Sequence, residues 1–265
     1  MPFLQLDEAN LFYREFGQGR SVVFVNGWTS SFEYWLPLVD QLKSSFRCIV
    51  YDMRGFGSSQ PTNNAIFDLD QYADDLHRLI ESLDAPDACL VAHGMGAWVA
   101  VVTARLHPQD LSRLTLISPE LATASDVWQQ ASLVFKDLAS VPLLRNLVVR
   151  RFRHSPEPFK SRLFEDFARA DRRAAFQLLA SCAENELSGR LKKALSEITA
   201  PVMIVRGTND KLCSKEQAQT LFETIRVGKL VTIKGCHHLP MLEFTKPLAE
   251  LLTAFFQINK PNTRA

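Results

Sequence analysis

The stretch VAHGMGAWVA, Val91 to Ala100, passes from an apolar, β-rich run straight into a helix-like one, and the change falls on two glycines, Gly94 and Gly96. A sharp strand-to-helix elbow of this kind is the frame that lifts a nucleophilic side chain out of a sheet. Small residues two positions to either side let strand and helix approach closely while the central residue takes a strained backbone conformation. Ala92 and Gly96 are those small neighbours, and the central residue is Gly94. The frame of a catalytic elbow is present without its reactive atom.

Outward from the elbow, ACLVA (Ala88 to Ala92) is one of several short apolar runs. The others are VVFV (Val22 to Val25), FRCIVY (Phe46 to Tyr51), LTLI (Leu114 to Ile117), VMIV (Val202 to Val205) and LVTI (Leu230 to Ile233). Near-continuous hydrophobic strands are expected where helices cover both faces of a parallel sheet. Helical patterns lie between them. In LDQYADDLHRLIESL (Leu69 to Leu83), Tyr72, Leu76, Leu79, Ile80 and Leu83 share one stripe and the acids are expected on the other. Strand alternating with helix predicts an α/β fold with a doubly wound, mostly parallel sheet. The opening FLQLDEANLFYREFG reads as a hairpin with EAN as its turn.

From Leu121 to Leu195 the alternation stops, and helical stretches punctuated by Pro142, Pro156 and Pro158 run on until Thr199-Ala200-Pro201 restarts the sheet. The expected organisation is a core formed by residues 1–120 and 196–258, a helical lid at 121–195 and a tail at 259–265. The insertion carries Trp128, Phe135, Phe152, Phe159, Phe164, Phe167 and Phe176, and between Val141 and Arg173 it has nine Lys/Arg against four Asp/Glu. These residues fit ordinary helices with a solvated basic face. They also fit an apolar pocket with a basic rim that includes Arg150, Arg151 and Arg153.

With 265 residues, 46% of them hydrophobic, the chain can form one large core, and a net charge of +1 offers no global attraction to nucleic acid. Cys48, Cys89, Cys182, Cys213 and Cys236 show no CxxC spacing and sit largely in apolar runs, as buried reduced thiols do. No secretory pattern opens the sequence and no apolar run is long enough for a membrane span, so a soluble cytoplasmic protein is expected. There is no dinucleotide fingerprint or P-loop, and His237 and His238 are adjacent without a third ligand at metal spacing. No cofactor and no metal are expected. His77, His107 and His154 read as helix-surface residues and His93 as a brace for the elbow.

Three segments carry the chemistry. In VVFVNGWTSSFEYW a buried strand meets a small-residue turn, where the backbone N–H of Trp28 is a candidate oxyanion donor; a plain strand-to-helix turn has the same pattern. The elbow is the second. The third is the pair VMIVRGTNDKL and LVTIKGCHHLPMLE, which sets Asp210 after one strand and two histidines after the next. A carboxylate and an imidazole at adjacent strand ends can hydrogen-bond, orienting the ring and stabilising its protonated form.

Taken in order, VNGWTSS, YDMRGFGSS (Tyr51 to Ser59), AHGMGAW, RGTNDKL and GCHHLPMLE resemble the motifs of the α/β-hydrolase superfamily, in particular its compact members with a helical lid. The resemblance spans the chain from the opening hairpin to about Phe256. It implies that His238 is the catalytic histidine, that Asp210 is its acid, and that Trp28 and Met95 supply the oxyanion N–H groups. Asn26 stands where the family usually has histidine and still offers a hydrogen-bonding side chain. Gly94 stands at the nucleophile and cannot form an acyl-enzyme, which excludes two-step covalent hydrolysis through this position. Neither Cys89, Cys213 nor Cys236 falls in the elbow.

Three functions are compatible with these residues. One is an enzyme in which a His238/Asp210 pair performs non-covalent acid/base chemistry beside the oxyanion hole, on a hydrophobic small molecule or an acyl substrate, including a carrier-linked thioester. Another is a serine esterase or thioesterase inactivated by glycine at position 94. The last is a non-catalytic, ligand-binding protein.

Overall fold

The computed structural model describes residues 2–120, 156–157, 159–187 and 189–257. Its nine strands are β1 (Phe3–Gln5), β2 (Ala9–Phe16), β3 (Ser21–Val25), β4 (Arg47–Tyr51), β5 (Gln60–Pro61), β6 (Ala88–His93), β7 (Leu111–Ile117), β8 (Val202–Gly207) and β9 (Gly228–Ile233). They form one sheet in the order β1-β2-β4-β3-β6-β7-β8-β9, with β5 attached to β2. From β4 to β9 every pairing is parallel, and β1 and β2 run antiparallel at one edge. Every residue of β3, β6, β7 and β8 is buried, the double-sided burial that their largely apolar sequence anticipates.

Successive strand residues point to opposite faces, and so one sheet serves two cores. Val23, Val25, Leu90 and Ala92 pack with α2 (Leu69–Ser82) and α3 (Gly96–Leu106), while Val22, Phe24, Cys89 and Val91 face the other way. That second face is covered by Trp35, by α1 (Leu36–Leu42) and by the carboxyl-terminal helix (Thr245–Gln257). Between β7 and β8 the described residues form α4 (Phe159–Arg169), α5 (Arg172–Leu187) and α6 (Arg190–Glu197). After β8 come α7 (Lys215–Thr224), opened by a Ser214/Gln217 capping box, then α8 (Pro240–Glu243) and the terminal helix, α9. Trp128, Phe135, Phe152, Arg150, Arg151, Arg153, His154, Pro142 and Pro158 lie outside the described residues. Among the described residues no helix is long and apolar enough to cross a membrane.

Two local expectations are corrected. The first hairpin turns at residues 6–8, closed by Leu6 N–H donating to the Ala9 carbonyl at 2.8 Å, and not at EAN. Ala9 and Asn10 already belong to β2, where they pair with the short strand β5. On α2 the acids do not all face solvent. Asp75 is buried beside Tyr72 and Leu76 because Arg54, itself buried, donates to it from Nε at 2.5 Å and from Nη2 at 2.6 Å. The Tyr72 hydroxyl donates to the Arg54 carbonyl at 3.0 Å, locking the loop after β4 onto α2.

Removing one partner of a buried ion pair strands the other charge in the interior, a loss of roughly 3–5 kcal/mol. Asp75→Ala is therefore expected to lower unfolding free energy by about that amount, read as a fall in the urea midpoint with an unchanged slope. Arg78→Ala, whose contact with Asp7 is exposed, should leave the midpoint nearly unchanged.

Candidate active site

The parallel order places the carboxyl ends of β3, β6, β7, β8 and β9 side by side, where doubly wound sheets hold their ligands. At the end of β6, Gly94 has φ +55°, and its N–H donates to the Ile117 carbonyl of β7 at 3.0 Å. An ideal Cβ on Gly94 would meet nothing nearer than Glu120 Oε1 at 3.7 Å and the Gly27 Cα at 3.8 Å. Gly96 is the opposite case. A Cβ there would run into the Asn26 carbonyl, so only glycine lets α3 begin this close to the turn after β3.

That turn is braced from below. Asn26 Nδ2 donates to the Tyr51 carbonyl at 2.9 Å, and Trp35 Nε1 donates to Asn26 Oδ1 at 2.7 Å. Asp52, at the end of β4, accepts from Phe32 N–H at 2.6 Å and Ser58 N–H at 2.8 Å. Burial outweighs these bonds and pushes its carboxyl up to about 7. From above, Asp166 of α4 accepts from the Ser31 hydroxyl at 2.7 Å and its N–H at 3.2 Å, and burial pushes that carboxyl up to about 6. Trp28 Nε1 donates to the Ala175 carbonyl of α5 at 2.8 Å, and its ring meets Phe167 edge-on at 5.7 Å.

His238, buried in the loop after β9, lies between two carboxylates. Its Nδ1 is 3.2 Å from both oxygens of Asp210, and its Nε2 is 3.0 Å from Glu120 Oε1. Asp210 Oδ1 also accepts from Leu212 and Cys213 N–H at 2.8 and 3.1 Å. Glu120 follows β7, with its carbonyl accepting from Trp98 Nε1 of α3. Burial alone would lower the imidazole pKa, but the hydrogen bonds and charges of Asp210 and Glu120 prevail and raise it to about 9. For Asp210, burial acts upward and the His238 hydrogen bond and charge act downward, with a net fall to about 2.

His93 Nε2 contacts the His238 carbonyl at 3.0 Å, and the two rings meet edge-on at 4.7 Å. Burial, with the neighbouring His238 charge, lowers the His93 pKa to about 4, which leaves it a neutral brace. His237 turns away, its N–H and Nδ1 both on Glu243 Oε2. All five cysteines are buried, and burial raises Cys48 and Cys213 to about 12 and also raises Cys89 and Cys236; thiols so held are poor nucleophiles.

The structure brings Gly94, His238 and Asp210 together around Glu120, and the Gly27 Cα, one residue before Trp28, borders Gly94. It adds Glu120, Asp166 and Asp52, which sequence reasoning missed. His77 and His107, read as helix-surface residues, are half-buried and stacked at 3.7 Å, with His77 Nδ1 2.7 Å from Asp110 Oδ2. Among the described residues this is the one cluster with metal-ligand spacing. Its rings are within 7° of parallel, so their in-plane lone pairs do not converge on one point.

The chain belongs to the alpha/beta hydrolase family, whose sequence profile matches residues 22–252. It is 29% identical over 252 residues to a 2-(acetamidomethylene)succinate hydrolase of Mesorhizobium japonicum, covering 89% of this chain and 87% of that one. A match to the non-heme chloroperoxidase CPO-A1 of Kitasatospora aureofaciens is 44% identical but confined to 94 residues, 34% of this chain and 33% of the relative. Among solved structures, a bromoperoxidase from Bacillus anthracis superposes with TM-score 0.84 at 22% identity, over 94% of this chain and 96% of that one. An enol-lactonase from Burkholderia xenovorans LB400 gives TM-score 0.84 at 19% identity, over 96% and 99%.

A histidine whose pKa is raised from 6.5 to about 9 stabilises the fold fully below pH about 6.5, and that contribution is lost as pH rises through about 9. Histidine NMR should show His238 titrating near 9. In Asp210→Asn, which removes one of the two charges, that midpoint should fall.

Proposed function

We propose that the protein is an enzyme that performs non-covalent acid/base chemistry on an uncharged acyl or other carbonyl compound of hydrophobic character. His238, oriented by Asp210, moves the proton, and the backbone N–H groups of Trp28 and Met95 hold the developing oxyanion. One observation carries this reading: a buried imidazole is held on both nitrogens at the mouth of the elbow, facing a residue that has no side chain. Holding that ring charged among desolvated groups is costly for a fold that does not use it.

Donor geometry supports the oxyanion role. Met95 precedes the first turn of α3, where backbone N–H groups have no intrahelical acceptor, and Trp28 follows Gly27, whose Cα borders the same space as Gly94. Helices α4 and α5 act as the described part of a lid, since Trp28, Ser31 and Tyr34 are each touched by them. Phe159 and Phe167 line that contact, which favours an apolar ligand. Arg162 pairs with Glu33 and Arg173 with Asp171, so these two cations of the basic insertion already have anionic partners. A free hydrophobic metabolite suits the site better than a phosphate-bearing carrier.

If His238 moves the proton, His238→Ala should cut turnover about a hundred- to ten-thousand-fold with the fold intact. Asp210→Asn should cut it by a similar order through loss of the ring's orientation and charge. Full activity of His238→Ala in steady-state assays would leave binding as the function.

A second reading, a serine hydrolase inactivated at residue 94, is favoured by the φ of +55° and the clear space at Gly94, the seat a nucleophile would need. Gly94→Ser should then give a burst of p-nitrophenol from p-nitrophenyl acetate, followed by acyl-enzyme turnover. A folded Gly94→Ser protein without a burst removes that reading.

A further inference from the structure

We infer that Glu120 is the general base of this site: it takes a proton from a water that attacks an ester, thioester or lactone carbonyl directly, while the His238 imidazolium protonates the departing group. The inference rests on the proposal that His238 moves a proton, and it assigns the partner and the substrate class.

Three geometric observations support it. First, each nitrogen of His238 faces a carboxylate oxygen, Nδ1 at Asp210 and Nε2 at Glu120. Only an imidazolium can donate at both ends; a neutral ring would point a lone pair at one carboxylate oxygen. The ring therefore rests as an acid, and the proton acceptor must be another group. Second, the two carboxylates differ in access. The Asp210 side chain is 0% exposed and holds two backbone N–H groups, whereas that of Glu120 is 21% exposed. Third, Glu120 Oε1 is the nearest atom to the position a Gly94 Cβ would take. The same carboxylate oxygen therefore lies within 4 Å of both Nε2 and the Gly94 Cβ position. The Trp98 indole, bonded to the Glu120 carbonyl, anchors that backbone to α3.

The step balances with water alone. The water O–H bond breaks, its proton goes to Glu120, and its oxygen bonds to the carbonyl carbon while the π pair moves onto the oxygen held by Trp28 and Met95 N–H. Collapse breaks the bond from carbon to the leaving oxygen or sulfur, which takes the Nε2 proton of His238. Glu120 then returns its proton to Nε2 across the 3.0 Å contact, and acid plus alcohol or thiol are released. Gly94 leaves the approach clear.

The test uses p-nitrophenyl acetate, p-nitrophenyl butyrate and dihydrocoumarin as probes on the full chain. Glu120→Gln should lower kcat about a hundredfold or more with little change in KM, and added formate should partly restore Glu120→Gly. Circular dichroism of both variants should match the parent, with a lower melting temperature because the charge beside His238 is lost. One turnover in ¹⁸O-water should place label in the released acid and none in residue 120. Undiminished turnover in Glu120→Gln, no rescue by formate, label in Glu120, or no hydrolysis of any probe by the parent above the buffer rate would each overturn the inference. Activity lost in His238→Ala but kept in Glu120→Gln overturns this inference alone, whereas activity kept in His238→Ala overturns the reading beneath it.

Discussion

The contact between Gly96 and the Asn26 carbonyl is the constraint on which the site depends. It brings the start of α3 against the turn after β3, and Gly27 in that turn borders the space in front of Gly94. Any side chain at 96 would force the two segments apart. Gly94 is permissive in the opposite sense: its surroundings would admit a side chain, although at φ +55° any residue other than glycine would be strained. Two glycines separated by a single residue thus have unrelated physical reasons, one closing a seam and the other opening a space.

Charge is the second organising quantity. Two carboxylates and one imidazolium occupy a region from which water is largely excluded, and interactions between them are stronger there than at the surface. The fold compensates for their desolvation locally, with two backbone N–H groups on Asp210, and it keeps the adjacent His93 neutral so that a second cation does not compete. Asp52 and Asp166 lie nearby on the opposite flank. Burial raises both, and each fastens a different part of the turn between β3 and α1.

The sheet was legible in the sequence because parallel strands covered on both faces are mostly apolar, and the runs ending at Val25, Tyr51, Ala92, Ile117, Val205 and Ile233 are mostly so. The elbow was legible because its small residues are local. What failed to show was non-local. Asp75 looks like any surface acid of an amphipathic helix until Arg54, 21 residues away, is folded against it. Asn10 looks like a turn residue until Gln60 pairs with it. Glu120 follows a proline at what reads as the start of an insertion, and its partner His238 is 118 positions downstream, a separation that no periodicity can reveal. Spacing motifs located His238 and Asp210 because their loops follow adjacent strands; nothing comparable marks the end of β7.

The hydrogen bonds from Ser31 to Asp166 and from Trp28 to the Ala175 carbonyl join the inserted helices to the very turn that would hold an oxyanion. In a protein whose cap merely sat over a finished cavity, that segment could be exchanged for another to change what enters, with the chemistry below untouched. Here the two are not separable modules. A transplanted insertion would have to bring its own acceptors for Ser31 and the Trp28 indole, or the donor positions would shift with it. A change in the inserted helices is therefore tied, residue by residue, to a change in the backbone of the turn after β3.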